Sequence, residues 1–325
     1  MASIEELRDT RIKKINLLKE AGMDPYPVSV PCDYTISEIK NKFEELALKS
    51  QKDFISMVGR VMIVRGQGSI LFIVLQSGGE RFQAVLKKDE LNEKVFNLFV
   101  DTIDNGDFIS VTGSLFITQR GEQSILIKDW QMATKALLPL PDKWHGLQDV
   151  EETYRKRYLD IIMDNDVYNR FILRSKIIQY IRKFFDEKEF LEVETPILQN
   201  QAGGAMAKTF NTHHNDYDMD MVLRISLELE HKLIMAGGYK GVYEIGKAFR
   251  NEGSDPTHMQ EFTLMEWYSA YDTLETNMKW TEELIKSMAK DLVGKSDFIV
   301  YDNEGNGIKV DISKEWPRVA FADLL

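Results

Sequence analysis

Between Phe54 and Trp130 the sequence changes period. Apolar residues alternate with polar ones in five runs, 54–65, 69–76, 81–86, 107–118 and 123–130, the pattern of strands with one buried face. Two of the connections are short and glycine-bearing, Ser77-Gly78-Gly79-Glu80 and Gln119-Arg120-Gly121-Glu122, and they read as tight turns. One helical segment, roughly 88–102, separates the third run from the fourth. Few folds accept five strands with a single helix in that place.

The order is that of an OB-fold barrel. Such barrels bind single-stranded nucleic acid by stacking bases on aromatics that face out of the second and third strands. Phe72 on the second strand, and Phe82 or Gln83 on the third, stand where such contacts would be, although most aromatics of a small barrel are core. Upstream, residues 3–22 read as an amphipathic helix with Ile4, Leu7, Ile12, Ile15, Leu17 and Leu18 as its apolar positions, stopped by Gly22, Pro25 and Pro27. The same segment carries Arg8, Arg11, Lys13, Lys14 and Lys19, a basic face that could follow an RNA backbone or simply meet solvent. A second helix is expected over 36–49.

At 325 residues and 43% hydrophobic content the chain can build two cores. No apolar run approaches the ~18 residues that span a bilayer, so no membrane partner is expected. A single cysteine, Cys32, excludes an internal disulfide framework and fits a reducing cytoplasm. The net charge of −11 argues against a sequence-blind nucleic-acid binder while leaving room for a local basic face.

Beyond a proline-bearing connection, Leu138 to Gln148, the period becomes helical, with Phe171, Arg174, Ile177, Ile178, Ile181, Phe184 and Phe185 on one stripe. The stripe ends in Phe190-Leu-Glu-Val-Glu-Thr-Pro196, a short strand closed by proline. Phe249 to Tyr268 then reads as strand, polar loop, strand. By alternation Arg250 and Glu252 share one face of the incoming strand, and Phe262, Leu264, Glu266 and Tyr268 share one face of the outgoing strand. Arginine suits a phosphate through its planar fork. A phenylalanine can stack a purine, and a carboxylate can accept from its amine. Glu266, in an otherwise apolar strand, would be costly to bury without a partner such as an ammonium.

This run, F-R-N-E-G followed by H-x-x-E-F-T-x-M-E-x-Y, resembles motif 2 of class II aminoacyl-tRNA synthetases in its lysyl-tRNA synthetase form. The resemblance implies that Arg250 grips the ATP α-phosphate as the catalytic residue, Glu252 holds the adenine amine, His258 sits near the outer phosphates and Phe262 stacks on adenine. It also implies that Glu266 and Tyr268 meet lysine, joined by main chain at Gly203 and Gly204 and by Glu228 in Leu223-Arg-Ile-Ser-Leu-Glu-Leu229. Read from the residues alone, the glycine pair is an ordinary turn and Glu228 the solvated start of a helix. Arg65, Phe72 and Gln83 stand at the spacing with which the family reads the anticodon of tRNA(Lys). The 166–196 helix and strand are similar to motif 1, the dimer-forming element, which implies a homodimer.

The implied fold is α+β. It comprises a helical extension (1–50), an OB-fold anticodon-binding domain (51–135), a linker (136–165) and a class II catalytic domain with an antiparallel sheet (166–325). This sequence departs from the commoner family pattern, with Met259-Gln260 in place of Asn-Pro, Ala202 in place of a proline before the glycines, and Leu227 in place of a proline before Glu228. Nothing after Tyr268 fits the family's third motif, so the resemblance covers the whole chain but only about the first two thirds of the family's length. The expected Mg2+ ligands would then lie beyond Leu325, with none in this chain. The implied activity is lysine–tRNA ligation, in which ATP and L-lysine give lysyl-adenylate and the lysyl group passes to the tRNA 3′ end. Two alternatives stay open: an impaired tRNA-binding remnant, or an aspartyl- or asparaginyl-type synthetase.

Overall fold

Ser3 opens α1 (Ile4–Glu20) with a capping box. Its hydroxyl accepts from the Glu6 N–H at 3.1 Å, and the Glu6 carboxylate accepts from the Ser3 N–H at 2.7 Å. The computed structural model describes residues 3–66, 68–141, 149–255, 257–302 and 304–323, in two units, Met1–Arg170 and Phe171–Leu325. The expected connection around His145 and the last two residues lie outside the described residues.

Only Leu18 of the six apolar positions expected to anchor α1 is buried, and the other buried residue is Arg11. The Arg11 guanidinium donates to the carbonyls of Ala136 and Leu138 at 2.9 Å each and of Asn105 at 3.1 Å. Lys14 pairs with Asp104 at 2.7 Å. The basic face read from sequence is therefore smaller than expected, because two of its cations hold α1 to Asp104 and Asn105, and Arg11 also holds it to Ala136 and Leu138. Nearby, fully buried Lys135 bridges Asp104 at 2.6 Å and Asp107 at 2.7 Å. The expected helix over 36–49 is two helices, α2 (Ile36–Asn41) and α3 (Phe43–Ser50), because Lys42 leaves helical backbone at φ −118°. With that break Ile36, Ile39, Phe43 and Leu46 all reach the barrel core.

The five expected strands are β1 (Ile55–Arg65), β2 (Ile70–Ser77), β3 (Glu80–Lys87), β4 (Phe108–Ile117) and β5 (Gln123–Thr134). They close in the order β1-β2-β3-β5-β4, with β3 and β5 parallel. Gly78 and Gly79 form the two-residue β2–β3 turn at φ 60° and 79°, the left-handed pair that a tight hairpin requires. The helix between β3 and β4 is α4 (Glu93–Thr102), preceded by a 3-10 turn at Lys88–Glu90. Trp130 plugs the barrel, edge-on to Phe99 of α4 at 5.1 Å.

Three helices follow, α5 (Val150–Arg155), α6 (Arg157–Met163) and α7 (Asn165–Asp186). The α7 stripe is buried only at its end. Phe184 and Phe185 are core, whereas Phe171 and Arg174, on the same expected stripe, face solvent, because the aromatic cluster that buries the helix begins one turn before Phe184. Phe185 centres that cluster, 5.2–5.3 Å from the rings of Phe184, Phe190, Tyr243 and Trp267.

The second unit's strands are β6 (Leu191–Glu192), β7 (Leu198–Gln199), β8 (Asn211–His214), β9 (Met219–Leu223), β10 (Gly241–Phe249), β11 (Glu261–Ser269), β12 (Asp297–Tyr301) and β13 (Gly307–Asp311). Its helices are α8 (Glu228–Ala236) and α9 (Leu274–Met288). The strands form sheets β11-β10-β6 and β7-β9-β8 and the hairpin β12–β13. α8 packs on both long strands of the first sheet, β10 and β11.

Candidate functional site

β10 and β11 pair without a register shift from Gly241↔Ser269 to Phe249↔Glu261, which sets Glu244 directly opposite Glu266. Opposed residues share a face of the sheet, and like charges so placed repel. Each carboxylate is therefore supplied with its own donors. Glu244, almost wholly buried, pairs with Arg224 at 2.7 Å and accepts from the Thr195 hydroxyl at 2.7 Å; the His231 Nε2 lies 3.1 Å away. Burial pushes the Glu244 carboxyl up, but the hydrogen bonds from His231, Thr195 and Arg224 outweigh it and hold the group at about 2. Arg224 is buried too; its Nε donates to the Lys247 carbonyl at 2.7 Å and its Nη1 also to the Thr195 carbonyl at 2.9 Å. A Cβ at Gly246 would lie 2.3 Å from the Arg224 guanidinium, so only glycine lets that group cross the strand.

Glu266 accepts from the Ser226 hydroxyl at 3.1 Å, the Leu227 N–H at 3.4 Å and the Tyr268 hydroxyl at 3.0 Å. Burial, then the charges of Glu266 and Glu228, push the Tyr268 phenol well above its usual range. Tyr268 thus stays a donor at any ordinary pH. Glu228 begins α8, and its N–H donates to Ser226 Oγ at 3.1 Å. Its carboxylate pairs with Lys232 one turn along the helix. A Cβ at Gly204 would meet Glu228 Cβ and Ser226 Oγ, both at 2.8 Å, and one at Gly203 would meet Leu229 at 2.1 Å. Gly203, Gly204, Glu228, Glu266 and Tyr268 are therefore brought together, two carboxylates and a phenol against a glycine loop. The arrangement suits a cation.

Beyond Phe249 the chain leaves the strand. Arg250 and Glu252 do not share a strand face as alternation suggested, because the Glu252 N–H donates back to the Arg250 carbonyl at 2.9 Å and tightens the chain into a turn. The Arg250 guanidinium lies over the Phe262 ring, 5.2 Å from its centroid. Arg250, Glu252, His258 and Phe262 line one open cavity of about 260 Å³. Within its loop His258 Nδ1 lies 2.7 Å from Asp255 Oδ2. Hydrogen bonds from Thr257, then from His258, hold the exposed Asp255 carboxyl at about 2. Gln260, which replaces the family's proline, donates to the Glu252 carbonyl at 2.9 Å and to Ser254 Oγ at 2.6 Å, so its side chain ties the loop together.

On the barrel, Arg65 is opposite Phe72 and Val74 opposite Gln83. Burial alternates along β2 and leaves Phe72 on the outer face, 40% exposed. Arg65, Phe72 and Gln83 line one cleft of about 570 Å³, together with Lys87 and Arg120. Gln83 Nε2 donates to Ser124 Oγ at 2.9 Å, which fixes the amide face it presents.

Sequence reasoning missed Arg224, Glu244, His231 and Ser226. The argument that singled out Glu266, a lone acid in an apolar strand, applied equally to Glu244. Among the described residues no group of three or more His, Cys, Asp or Glu side chains could hold a metal ion. The residues described thus offer no fitting ligand set for the magnesium that the resemblance implies.

Residues 149–325 match the family described as tRNA synthetases class II (D, K and N), and residues 55–133 match the OB-fold nucleic acid binding domain. The chain is 42% identical to the lysine–tRNA ligase of Lactococcus lactis subsp. lactis over 331 residues, covering 100% of this chain and 66% of that protein. It is 41% identical to the lysine–tRNA ligase of Listeria welshimeri and 39% to that of a Synechococcus strain, covering 99% of this chain and 64% of each relative. The chain therefore spans a little under two thirds of the length of the curated relatives it matches.

Proposed function

The chain belongs to the class II tRNA synthetases (D, K and N), and from that membership we propose that it serves lysine–tRNA ligation. The observation that carries the reading is Glu266, held by the Ser226 and Tyr268 hydroxyls, with the charge of Glu228 acting on the same Tyr268 phenol and the Gly204 loop lying against Glu228. Two carboxylates flanking the Tyr268 hydroxyl would attract an amino acid whose side chain ends in an ammonium, and would repel the side chain of aspartate. Relatives that carry the printed name lysine–tRNA ligase point the same way.

In this reading the lysine carboxylate attacks the α-phosphate of ATP, giving lysyl-adenylate and releasing pyrophosphate. A ribose hydroxyl of tRNA(Lys) then takes the lysyl group and AMP leaves. No protein nucleophile is required. Arg250 leaves its place over Phe262 to bind the α-phosphate, and Phe262 is freed to stack on adenine beside Glu252, with His258 toward the outer phosphates. Catalysis is then positioning and charge stabilisation. Magnesium would accompany the ATP phosphates. The anticodon would lie on the barrel face, stacked on Phe72 between Arg65 and Gln83.

Phe171 and Ile172, exposed at the start of α7, support a second copy docking there as a homodimer. No helix of the described residues is long and apolar enough to cross a membrane, and a role in tRNA charging supports the reading of a cytoplasmic protein. The test is lysine-dependent ATP–pyrophosphate exchange by the full-length protein and its Arg250→Ala variant. Loss of a preorganised donor of this kind costs about 10²–10³ in rate. Near-normal exchange in the variant would overturn the assignment of Arg250.

A further inference from the structure

His231 is wholly buried, on the face of α8 that meets both strands of the hairpin. Its Nε2 is 3.1 Å from Glu244 Oε2, and its ring stands edge-on to the Tyr268 ring, 5.3 Å between centroids at 83°. Among the described residues its Nδ1 is buried with no hydrogen-bond partner. An ionised carboxylate only accepts, so the hydrogen of the His231–Glu244 contact sits on Nε2 and the bare lone pair on Nδ1. A second proton on the ring would bury an N–H with no acceptor. It would also give the Arg224–Glu244–His231 group a net positive charge, which a buried cluster resists. The neutral Nε2–H ring is the form this geometry holds.

That ring touches both halves of the opposed pair. Through Nε2 it fixes one oxygen of Glu244, leaving the other to Arg224. Through its edge it fixes the plane of Tyr268, whose hydroxyl is one of the three donors that orient Glu266. We propose that His231 is a positioning residue for the amino-acid pocket, setting Tyr268 and Glu266 to receive the substrate ammonium without touching it. This rests on the reading of Glu266 and Tyr268 as the ammonium pocket. The charged groups on its own helix are Glu228, Glu230 and Lys232, and the strand pair that α8 packs on brings Glu244 and, opposite it, Glu266. Glu228 and Lys232 pair with each other, and Arg224 is already engaged on the other oxygen of Glu244.

The test has two arms. In the first, histidine-selective ¹⁵N labelling and long-range ¹H–¹⁵N spectra of the full-length protein, without substrate, are assigned with His231→Gln. The expected result is a protonated Nε2 and an unprotonated Nδ1; an Nδ1–H tautomer, or a doubly protonated ring at neutral pH, overturns the proposal. In the second, lysine-dependent exchange is measured for His231→Leu and His231→Gln, each shown to be folded by its unfolding transition. Gln keeps an N–H for Glu244 and Leu keeps none. The expected result is a lysine KM raised about tenfold in His231→Leu, the loss of one hydrogen bond to a charged group, with kcat and the ATP KM little changed. Gln should restore most of the lysine KM. A folded His231→Leu with the parent's lysine KM overturns the proposal, as does a kcat and KM loss that Gln does not relieve. If the unsubstituted protein shows no lysine-dependent signal, the pocket reading fails, and the role of His231 then stands or falls on the ring-nitrogen measurement.

Discussion

Glu244 and Asp255 are two carboxylates of the same hairpin region, each held at about 2, by opposite means. Glu244 is buried in β10 and answered by Arg224, Thr195 and His231, groups that come from three other segments of the chain. Asp255 is exposed in the β10–β11 loop and answered by its own neighbours, Thr257 and His258. The first is an arrangement that folding has to assemble. The second is a local turn that costs little to open. In the function proposed above, the amino-acid end of the hairpin would be set before any ligand arrives, and the nucleotide end would be held in provisional pairs, Arg250 on Phe262 and His258 on Asp255, for ATP to replace.

The sharpest way to break this contrast is Arg224→Met. It leaves Glu244 as a buried charge without its cation, and the expected loss is about 3–5 kcal/mol of folding stability by denaturant unfolding. A loss under about 1 kcal/mol would show that the network is not what holds the sheet face. Acid titration probes the same group. The folded-state carboxyl of Glu244 lies below its usual value, so its stabilisation is complete above about pH 5 and is lost as pH falls toward 2. A shift of that size is worth on the order of 3 kcal/mol. Unfolding measured over that window should be flatter in Glu244→Gln than in the parent.

The barrel gives a third surface to set against both, since Phe72 is a strand residue that is exposed from the start. Phe72→Ala should weaken binding of an anticodon-stem RNA by about 1–3 kcal/mol and leave lysine-dependent exchange unchanged. A fall in exchange as well would link the two units in a way the contrast does not foresee. At the provisional end Gln260→Ala removes two exposed hydrogen bonds from the loop, and a stability change near 1 kcal/mol or less is expected. Its effect should fall on the KM for ATP rather than on that for lysine.

What could be read from the sequence follows the same division. Period-two alternation in β1 to β5 and the Gly78–Gly79 turn are local signals, and the barrel they predict is the one observed. The hairpin was legible from the breakers between Phe249 and Phe262. Arg11 was not: a basic residue on an amphipathic helix reads as solvated until the carbonyls of Asn105, Ala136 and Leu138 are seen converging on it. The floor of the pocket was hidden for the same reason, because Thr195, Arg224, His231 and Glu244 are scattered over the sequence and only β-pairing and α8 bring them together. The purpose of Gly246 shows only once the Arg224 guanidinium lies across it.

The central claim is that Glu228 and Glu266 make a pocket for a side-chain ammonium. Calorimetric titration of the full-length protein with L-lysine, L-norleucine and L-aspartate tests it most directly, since norleucine keeps the apolar stem of lysine and lacks its charge. The account predicts saturable binding of lysine, lost in Glu266→Gln, and at least tenfold weaker binding of both other amino acids, the equivalent of about 1.4 kcal/mol or more. Norleucine or aspartate binding as tightly as lysine would contradict it.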